Sequence, residues 1–305
     1  MKYHIKLLRP KDWAKNLFLF VPSFFAKHIF TASNTILLVA GFIAFCCIAS
    51  SIYIINDYRD IEDDRKHPTK SKRPLASGKV KPSHAIVMLV VLIILGTGFG
   101  YAANPGLGFL LVLGVYFLLN LAYSFGLKNI AILDMLILSA GFVFRVKGGG
   151  IITHTDTTEW MIIMTYLLAM FMALGKRRDD LLLKETSGTE MRKSVNGYTM
   201  EYLNLMLGLF SAIIIVAYIS YTQSPKTINR LGTYRLYYSS VFVIAGIMRY
   251  MQIVFVNKNA GSPTEVLYRD RFIQITILLW IASIYVILYM LPHTPIFLPD
   301  GKAAY

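Results

Sequence analysis

Residues 34–65 read NTILLVAGFIAFCCIASSIYIINDYRDIEDDR, an apolar run without charge from Asn34 to Ile55 that leads straight into Asn56-Asp57-Tyr58-Arg59-Asp60-Ile61-Glu62-Asp63-Asp64-Arg65. The run is long enough to cross a bilayer as a helix. If the helix continues through the acidic stretch, Asp57, Asp60 and Asp64 fall at i, i+3 and i+7 and point the same way. Three carboxylates on one stripe repel one another unless a cation sits between them. A hard divalent ion such as Mg²⁺ is held by one or two carboxylates and keeps positions open for phosphate oxygens. A solvated acidic helix end is the plainer alternative. Here the acid abuts a membrane span and is answered by Lys70, Lys72 and Arg73, which favours a metal site.

Composition places the rest of the chain in the same class. Of 305 residues 55% are hydrophobic and only 16% charged, where a soluble domain has about a quarter charged. The net charge of +14 suggests nucleic acid at first sight. The cations, however, lie in loops between apolar blocks, so membrane topology and anionic lipid or phosphate partners account for them, with no nucleic acid. The only cysteines, Cys46 and Cys47, are adjacent within one block and read as small packing residues.

Nine spans are expected, at about Leu17–Ala26, Asn34–Ile55, Ser83–Ala102, Leu107–Tyr123, Ile130–Ile151, Trp160–Leu174, Tyr202–Tyr221, Tyr237–Val256 and Phe272–Leu291. The first is short and contains Pro22; it follows a basic start (Lys2, Lys6, Arg9, Lys11, Lys15) and is read as a retained helix. Lys and Arg crowd the N-terminus and the connections 60–82, 124–129, 175–199 and 257–271, and thin out at 103–106 and 152–159. The positive-inside rule then puts the N-terminus and the motif-bearing loops in the cytoplasm and the C-terminus on the opposite side. The basic 222–236 connection is the exception. These expectations describe an all-α membrane protein in which residues 1–305 form a single integral-membrane domain of the cytoplasmic membrane.

Several residues have the chemistry of a phosphate site. Lys70 and Arg73 are placed to clamp an anion that a Mg²⁺ also bridges, with Asn56 assisting the carboxylates. In the fifth span Asp134, Gly141 and Arg145 align on one face, and a cation that deep faces a polar cavity or a carboxylate. Arg249 invites the same reading. Lys176, Arg177 and Arg178, with Asp179 and Asp180 beside them, close the sixth span; Lys176 and Asp180 lie one helical turn apart. His67 lacks a partner at metal-ligand spacing. No Gly-rich phosphate loop, GxSxG or Cys/His zinc pattern occurs.

The chain resembles the UbiA-type intramembrane prenyltransferase superfamily. The match rests on Asn56-Asp57-x-x-Asp60-x-x-x-Asp64 with Arg73-Pro74, on Tyr123-Ser124-x-x-Leu127-Lys128 followed by Asp134, and on nine spans. The resemblance implies a helical bundle around a lipid-accessible cavity, with Mg²⁺ held by two Asp-rich motifs and binding a diphosphate. One departure is informative: where a second Asp-rich motif is expected, this chain has Gly175-Lys176-Arg177-Arg178-Asp179-Asp180. His67-Pro68-Thr69-Lys70, Gly141–Arg145, Gly175-Lys176-Arg177, Arg249-Tyr250 and Pro263…Glu265…Asp270-Arg271 are similar to the decaprenyl-phosphate phosphoribosyltransferase branch.

That branch implies an enzyme that moves phosphoribose from 5-phosphoribosyl 1-diphosphate to a polyprenyl phosphate, releasing diphosphate. On this reading Asp57, Asp60 and Asp64 are the metal and catalytic residues. Asn56, Lys70, Arg73, Tyr123, Lys128, Asp134, Arg145, Lys176, Arg177 and Asp180 line the substrates. The alternative is a prenyltransferase that attaches a prenyl chain from prenyl diphosphate to an aromatic or other acceptor. A transporter is the more distant alternative, and the chain has none of the internal repeats it would need.

Overall fold

The uncharged run and the first part of the acidic stretch form one 28-residue helix, α3 (Ala32–Arg59). The structure is a computed structural model, and it describes residues 2–29, 31–66, 70–187, 193–256, 266, 268–291, 296–297 and 303–304. His67, Pro68, Thr69, Pro263 and Glu265 lie outside the described residues. The chain divides into two compact units, Met1–Thr158 and Glu159–Tyr305.

In the first unit α3 is the central element, in contact with α5 (Pro82–Ala103), α6 (Leu107–Ser124), α7 (Leu133–Ile152) and a 3₁₀ segment, Pro10–Phe20. It can take this place because its buried face is built from small residues, among them Gly41, Ala44, Cys46, Cys47, Ala49, Ser50 and Ser51. Lipid tails are as apolar as leucine, so helices in a bilayer gain by close approach, which small residues allow. Both cysteines are free and buried. Phe45, Phe109 and Tyr116 fill the space beside them with edge-on ring contacts at 5.8 and 5.4 Å.

Eight helices among the described residues are long and apolar enough to cross a membrane. They correspond to the second through ninth expected spans. The first expected span, Leu17–Ala26, is instead divided between the 3₁₀ segment and the short helix α2 (Val21–Phe25). A 3₁₀ helix rises ~2.0 Å per residue against ~1.5 Å for an α-helix, so the two pieces together reach ~30 Å, about the thickness of the hydrocarbon core. The segment runs antiparallel to α3: Arg9, just before it, meets Asp57, and Leu19 near its end lies beside Gly41. At Gly149 of α7 an added Cβ would fall 1.9 Å from the Leu19 carbonyl oxygen, so backbone rests on backbone there.

The helix pauses at Asp60 and resumes as α4 (Ile61–Lys66). Asp57 and Asp64 therefore lie on different helices, with Asp60 at the joint. The chain returns through the 3₁₀ turn Lys70–Lys72 to α5. One end of this unit thus collects Arg9, the acidic joint, Arg73 and the Ser124–Lys128 connection. At the other end the amide of Asn104 donates to the Ile151 carbonyl.

The second unit contains α8 (Glu159–Ser187), α9 (Met200–Gln223), α10 (Pro225–Leu231), α11 (Ser240–Phe255) and α12 (Arg271–Tyr285), followed by one π-helical stretch, Val286–Met290. α8 packs on α9, and α11 on α12. Thr199 caps α9 and Asp270 caps α12, each accepting a backbone N–H through its side chain. A two-residue antiparallel pair, Ile296–Phe297 with Ala303–Ala304, is also present.

Candidate active site

The acidic joint carries a compact set of charges. Asp57 is 2% exposed, and its Oδ1 accepts from Arg9 Nη2 at 2.5 Å and from Arg73 Nη1 at 3.1 Å. The same Arg73 nitrogen donates to Asp64 Oδ2 at 2.7 Å. Two carboxylates from two helices thus converge on one cationic nitrogen. Arg9 also lies over the Tyr53 ring, 4.7 Å from its centroid. Arg73 and Asp64 were expected in the site; Arg9 was not, because its charge is one of five in the basic N-terminal stretch and nothing distinguishes it there.

Asp60 is turned the other way. Lys128, from the connection between α6 and α7, donates to Asp60 Oδ2 at 2.7 Å and to Asn56 Oδ1 at 3.3 Å. Arg59, a second residue missed in the sequence, donates to the Ser124 carbonyl and lies 4.8 Å from the Phe125 ring centroid. These contacts fasten the Ser124–Lys128 connection to the acidic joint. The expected trio divides into a pair and a single residue: Asp57 and Asp64 share Arg73, while Asp60 is taken by Lys128. Among the described residues no three Asp, Glu, His or Cys side chains are grouped to hold a metal. Lys70 is half-buried in its 3₁₀ turn, where its carbonyl accepts from the Arg73 backbone N–H at 2.8 Å. Tyr123 is buried at the end of α6, and Asp134 is fully buried in the first turn of α7.

Arg145 is deep in the first unit and 4% exposed. It donates to Asn16 Oδ1 at 2.7 Å, to the Gly141 carbonyl at 2.7 Å and to the Tyr116 hydroxyl at 2.9 Å. The rings of Tyr116, Phe142 and Phe45 surround its guanidinium at 4.9, 5.5 and 5.6 Å. Neither a carboxylate partner nor an open polar cavity is needed to account for it: neutral dipoles and ring faces carry the charge. Asn16, whose amide also donates to Cys46 Sγ at 3.1 Å, ties this arginine to the 3₁₀ segment.

In the second unit Arg177 is fully buried and ion-paired with Asp180 one turn on, while Lys176 is half-buried. Arg178 donates to Asn204 Oδ1 and to the Val254 carbonyl, both at 2.7 Å, joining α8 to α9 and α11. An added Cβ at Gly175 would meet the Tyr250 hydroxyl at 2.2 Å, so this glycine gives Tyr250 its place. Arg249 grips Asp270, with Nη2 at 2.7 Å and Nε at 3.2 Å from Oδ2. The hydrogen bond from Arg249 holds the Asp270 carboxyl below the usual carboxylate range. Two segments far apart in sequence, Arg249-Tyr250 and Asp270-Arg271, are brought together by this pair.

Asp57 and Asp64 are the residues of the first unit that could hold a hard divalent ion together with a substrate. Asp57 and Asp64 already enclose a cationic nitrogen, and two carboxylates with phosphate oxygens suit Mg²⁺ better than an all-protein cage does.

Residues 17–183 match the UbiA prenyltransferase family. The chain is 34% identical over 292 residues to a decaprenyl-phosphate phosphoribosyltransferase of Corynebacterium glutamicum, covering 94% of this chain and 87% of that protein. It is also 34% identical to the decaprenyl-phosphate phosphoribosyltransferase of Mycolicibacterium smegmatis, covering 93% of this chain and 92% of that protein. Among solved structures, a UbiA homolog from Archaeoglobus fulgidus bound to DMAPP and Mg²⁺ superposes with a TM-score of 0.69 at 20% identity, over 95% of this chain and 100% of that one.

Proposed function

The chain belongs to the UbiA prenyltransferase family, and we propose that within it the protein is a polyprenyl-phosphate phosphoribosyltransferase of the cytoplasmic membrane. The donor is 5-phosphoribosyl 1-diphosphate and the acceptor a decaprenyl-type polyprenyl phosphate. The observation that carries this reading is the full-length likeness to two decaprenyl-phosphate phosphoribosyltransferases. Lys176, Arg177 and Arg178, standing where the family resemblance implies a second Asp-rich motif, support it, since two substrates with several phosphates between them need more positive charge than a prenyl diphosphate alone.

In the reaction an oxygen of the lipid phosphate attacks C1 of the ribose, and the bond from C1 to the diphosphate oxygen breaks. The acceptor oxygen is already ionised near pH 7, so the protein need not supply a strong base. Asp57 and Asp64 would hold Mg²⁺, which when bound offsets the charge that builds on the departing diphosphate. Arg73 and Lys70 bind the diphosphate or the 5-phosphate. Asp60 orients Lys128 toward the same substrate, and Asn56 steadies that lysine. Lys176 and Arg177, with Asp180, are kept as a phosphate-binding set of the second unit, and Tyr123 and Asp134 as substrate-lining residues of the first. Arg145 is given a different task, since its bonds go to protein groups. Both units act as one transferase domain.

The test is direct. Purified protein in detergent or liposomes, given Mg²⁺, polyprenyl phosphate and 5-phosphoribosyl 1-diphosphate labelled in the ribose, should move label into the lipid fraction. Asp57→Asn should lower turnover at least 100-fold while the protein stays folded. Product formed only from prenyl diphosphate and an aromatic acceptor would overturn the reading in favour of prenyl transfer.

A further inference from the structure

Arg9 is a residue that neither the family motif nor the likeness to relatives assigns, yet it makes one of the closest charged contacts of the acidic joint. We propose that Arg9 and Arg73 are resident counter-cations of the Asp57–Asp64 pair, and that a divalent cation enters this pair only together with a diphosphate, whose oxygens take over the two guanidinium groups. The inference rests on the reading of Asp57 and Asp64 as the metal pair.

Charge is the first argument. Asp57 and Asp64 contribute two negative charges, and Arg9 and Arg73 contribute two positive ones at bonding distance. Asp60 and Lys128 beside them form a second neutral pair. Each of these two groups is balanced as it stands. A divalent ion arriving alone would leave the Asp57–Asp64 group two charges in excess, next to an apolar span where such an excess is poorly screened. A diphosphate brings about three negative charges near neutral pH and reverses that surplus.

Geometry is the second argument. Arg73 Nη1 lies 3.1 Å from Asp57 Oδ1 and 2.7 Å from Asp64 Oδ2, the position between the two oxygens that a shared metal ion would need. A guanidinium and a metal cannot occupy one place, so Arg73 must leave as the metal arrives. A displaced arginine beside a membrane span needs a new anionic partner, and the planar guanidinium matches phosphate in a two-point contact.

Arg9 reaches its position through a backbone in the left-handed region, φ 53° and ψ 59°, immediately before Pro10. A non-glycine residue adopts that conformation at an energetic cost, which its surroundings must offset. The Asp57 bond and the Tyr53 ring are those surroundings. Arg9 is thus aimed at the metal pair by the chain entry to the 3₁₀ segment, and it belongs to the binding machinery rather than to membrane topology alone.

The experiment uses the full chain in detergent, with Mn²⁺ and inorganic pyrophosphate as probes. Free Mn²⁺ is followed by its paramagnetic signal, and labelled pyrophosphate by retention on the protein with and without Mg²⁺. The wild type should bind Mn²⁺ alone at least tenfold more weakly than Arg73→Gln does. It should retain pyrophosphate only when Mg²⁺ is present, and Arg9→Gln and Arg73→Gln should each weaken that retention about tenfold. Wild-type protein that binds Mn²⁺ alone as tightly as Arg73→Gln, or Arg9→Gln that retains pyrophosphate undiminished, would overturn the proposal. Should either variant fail to fold, the wild type decides: pyrophosphate retention without metal removes the coupling. Pyrophosphate is a product of phosphoribosyl transfer and of prenyl transfer alike, so this coupling survives if the phosphoribosyl reading fails. Label transfer accompanied by uncoupled metal binding refutes the coupling alone.

Discussion

Two arginines within spans illustrate two ways of partnering a cation. Arg249 has a carboxylate, Asp270, in a two-point grip. Arg145 has none, and three neutral acceptors and three rings share its charge. The acceptors lie on the 3₁₀ segment, on α6 and on α7 itself, so this side chain joins three elements. Lysine would keep the charge but not the fork that reaches all three. Arg145→Lys should therefore lower stability by about 1–3 kcal/mol, the range for leaving buried polar partners unmatched, as measured by thermal unfolding in detergent. The protein that remains folded should retain pyrophosphate with Mg²⁺ as the wild type does. A variant of undiminished stability that loses pyrophosphate would return Arg145 to the phosphate-binding set.

At the scale of elements, the least regular piece does the closest packing. The 3₁₀ segment Pro10–Phe20 rests on α7 at Gly149, where any Cβ would meet the Leu19 carbonyl and no side chain can move aside. Gly149→Ala should destabilise the protein by about 1–3 kcal/mol through overpacking. Gly208→Ala, in α9 with nothing within 4 Å of the added atom, should be neutral or stabilising by up to about 1 kcal/mol. Equal melting temperatures for the two variants would refute the close-contact argument. The eight helices of spanning length were legible because each carries a long, predominantly apolar run with few charges, bounded by polar residues. The form of the first segment was not, since hydrophobic content does not distinguish a 3₁₀ rise from an α rise. The pause at Asp60 was equally invisible, because Asp57, Asp60 and Asp64 keep helical spacing in the sequence whether or not the helix is continuous. The pairing of Lys128 with Asp60 could be anticipated only as charge near charge. Arg9 with Asp57, 48 residues apart, could not be anticipated at all.

For the whole molecule the open quantity is orientation, and the charge distribution makes a definite claim. In the first unit the acidic joint, Arg9, Arg73 and Lys128 lie at one end, while the other end is closed by the uncharged Asn104 and Ile151. Positive residues are retained on the cytoplasmic side, so the charged end and the N-terminus are expected to face the cytoplasm. Whether the C-terminus lies opposite depends on the parity of crossings. Eight helices alone would return the chain to its starting side. If the 3₁₀ segment with α2, reaching ~30 Å, makes a ninth crossing, the C-terminus is expected on the outer side. A Cys46→Ala/Cys47→Ala background removes the native thiols. One cysteine is then placed at Lys2→Cys or appended after Tyr305, and intact cells are treated with a membrane-impermeant maleimide. The appended cysteine should label directly, and Lys2→Cys only after the membrane is opened. Labelling of both from outside would defeat the charge argument. Protection of both would mean that the 3₁₀ segment stops short of the far face, and the protein would then have eight crossings with both termini inside.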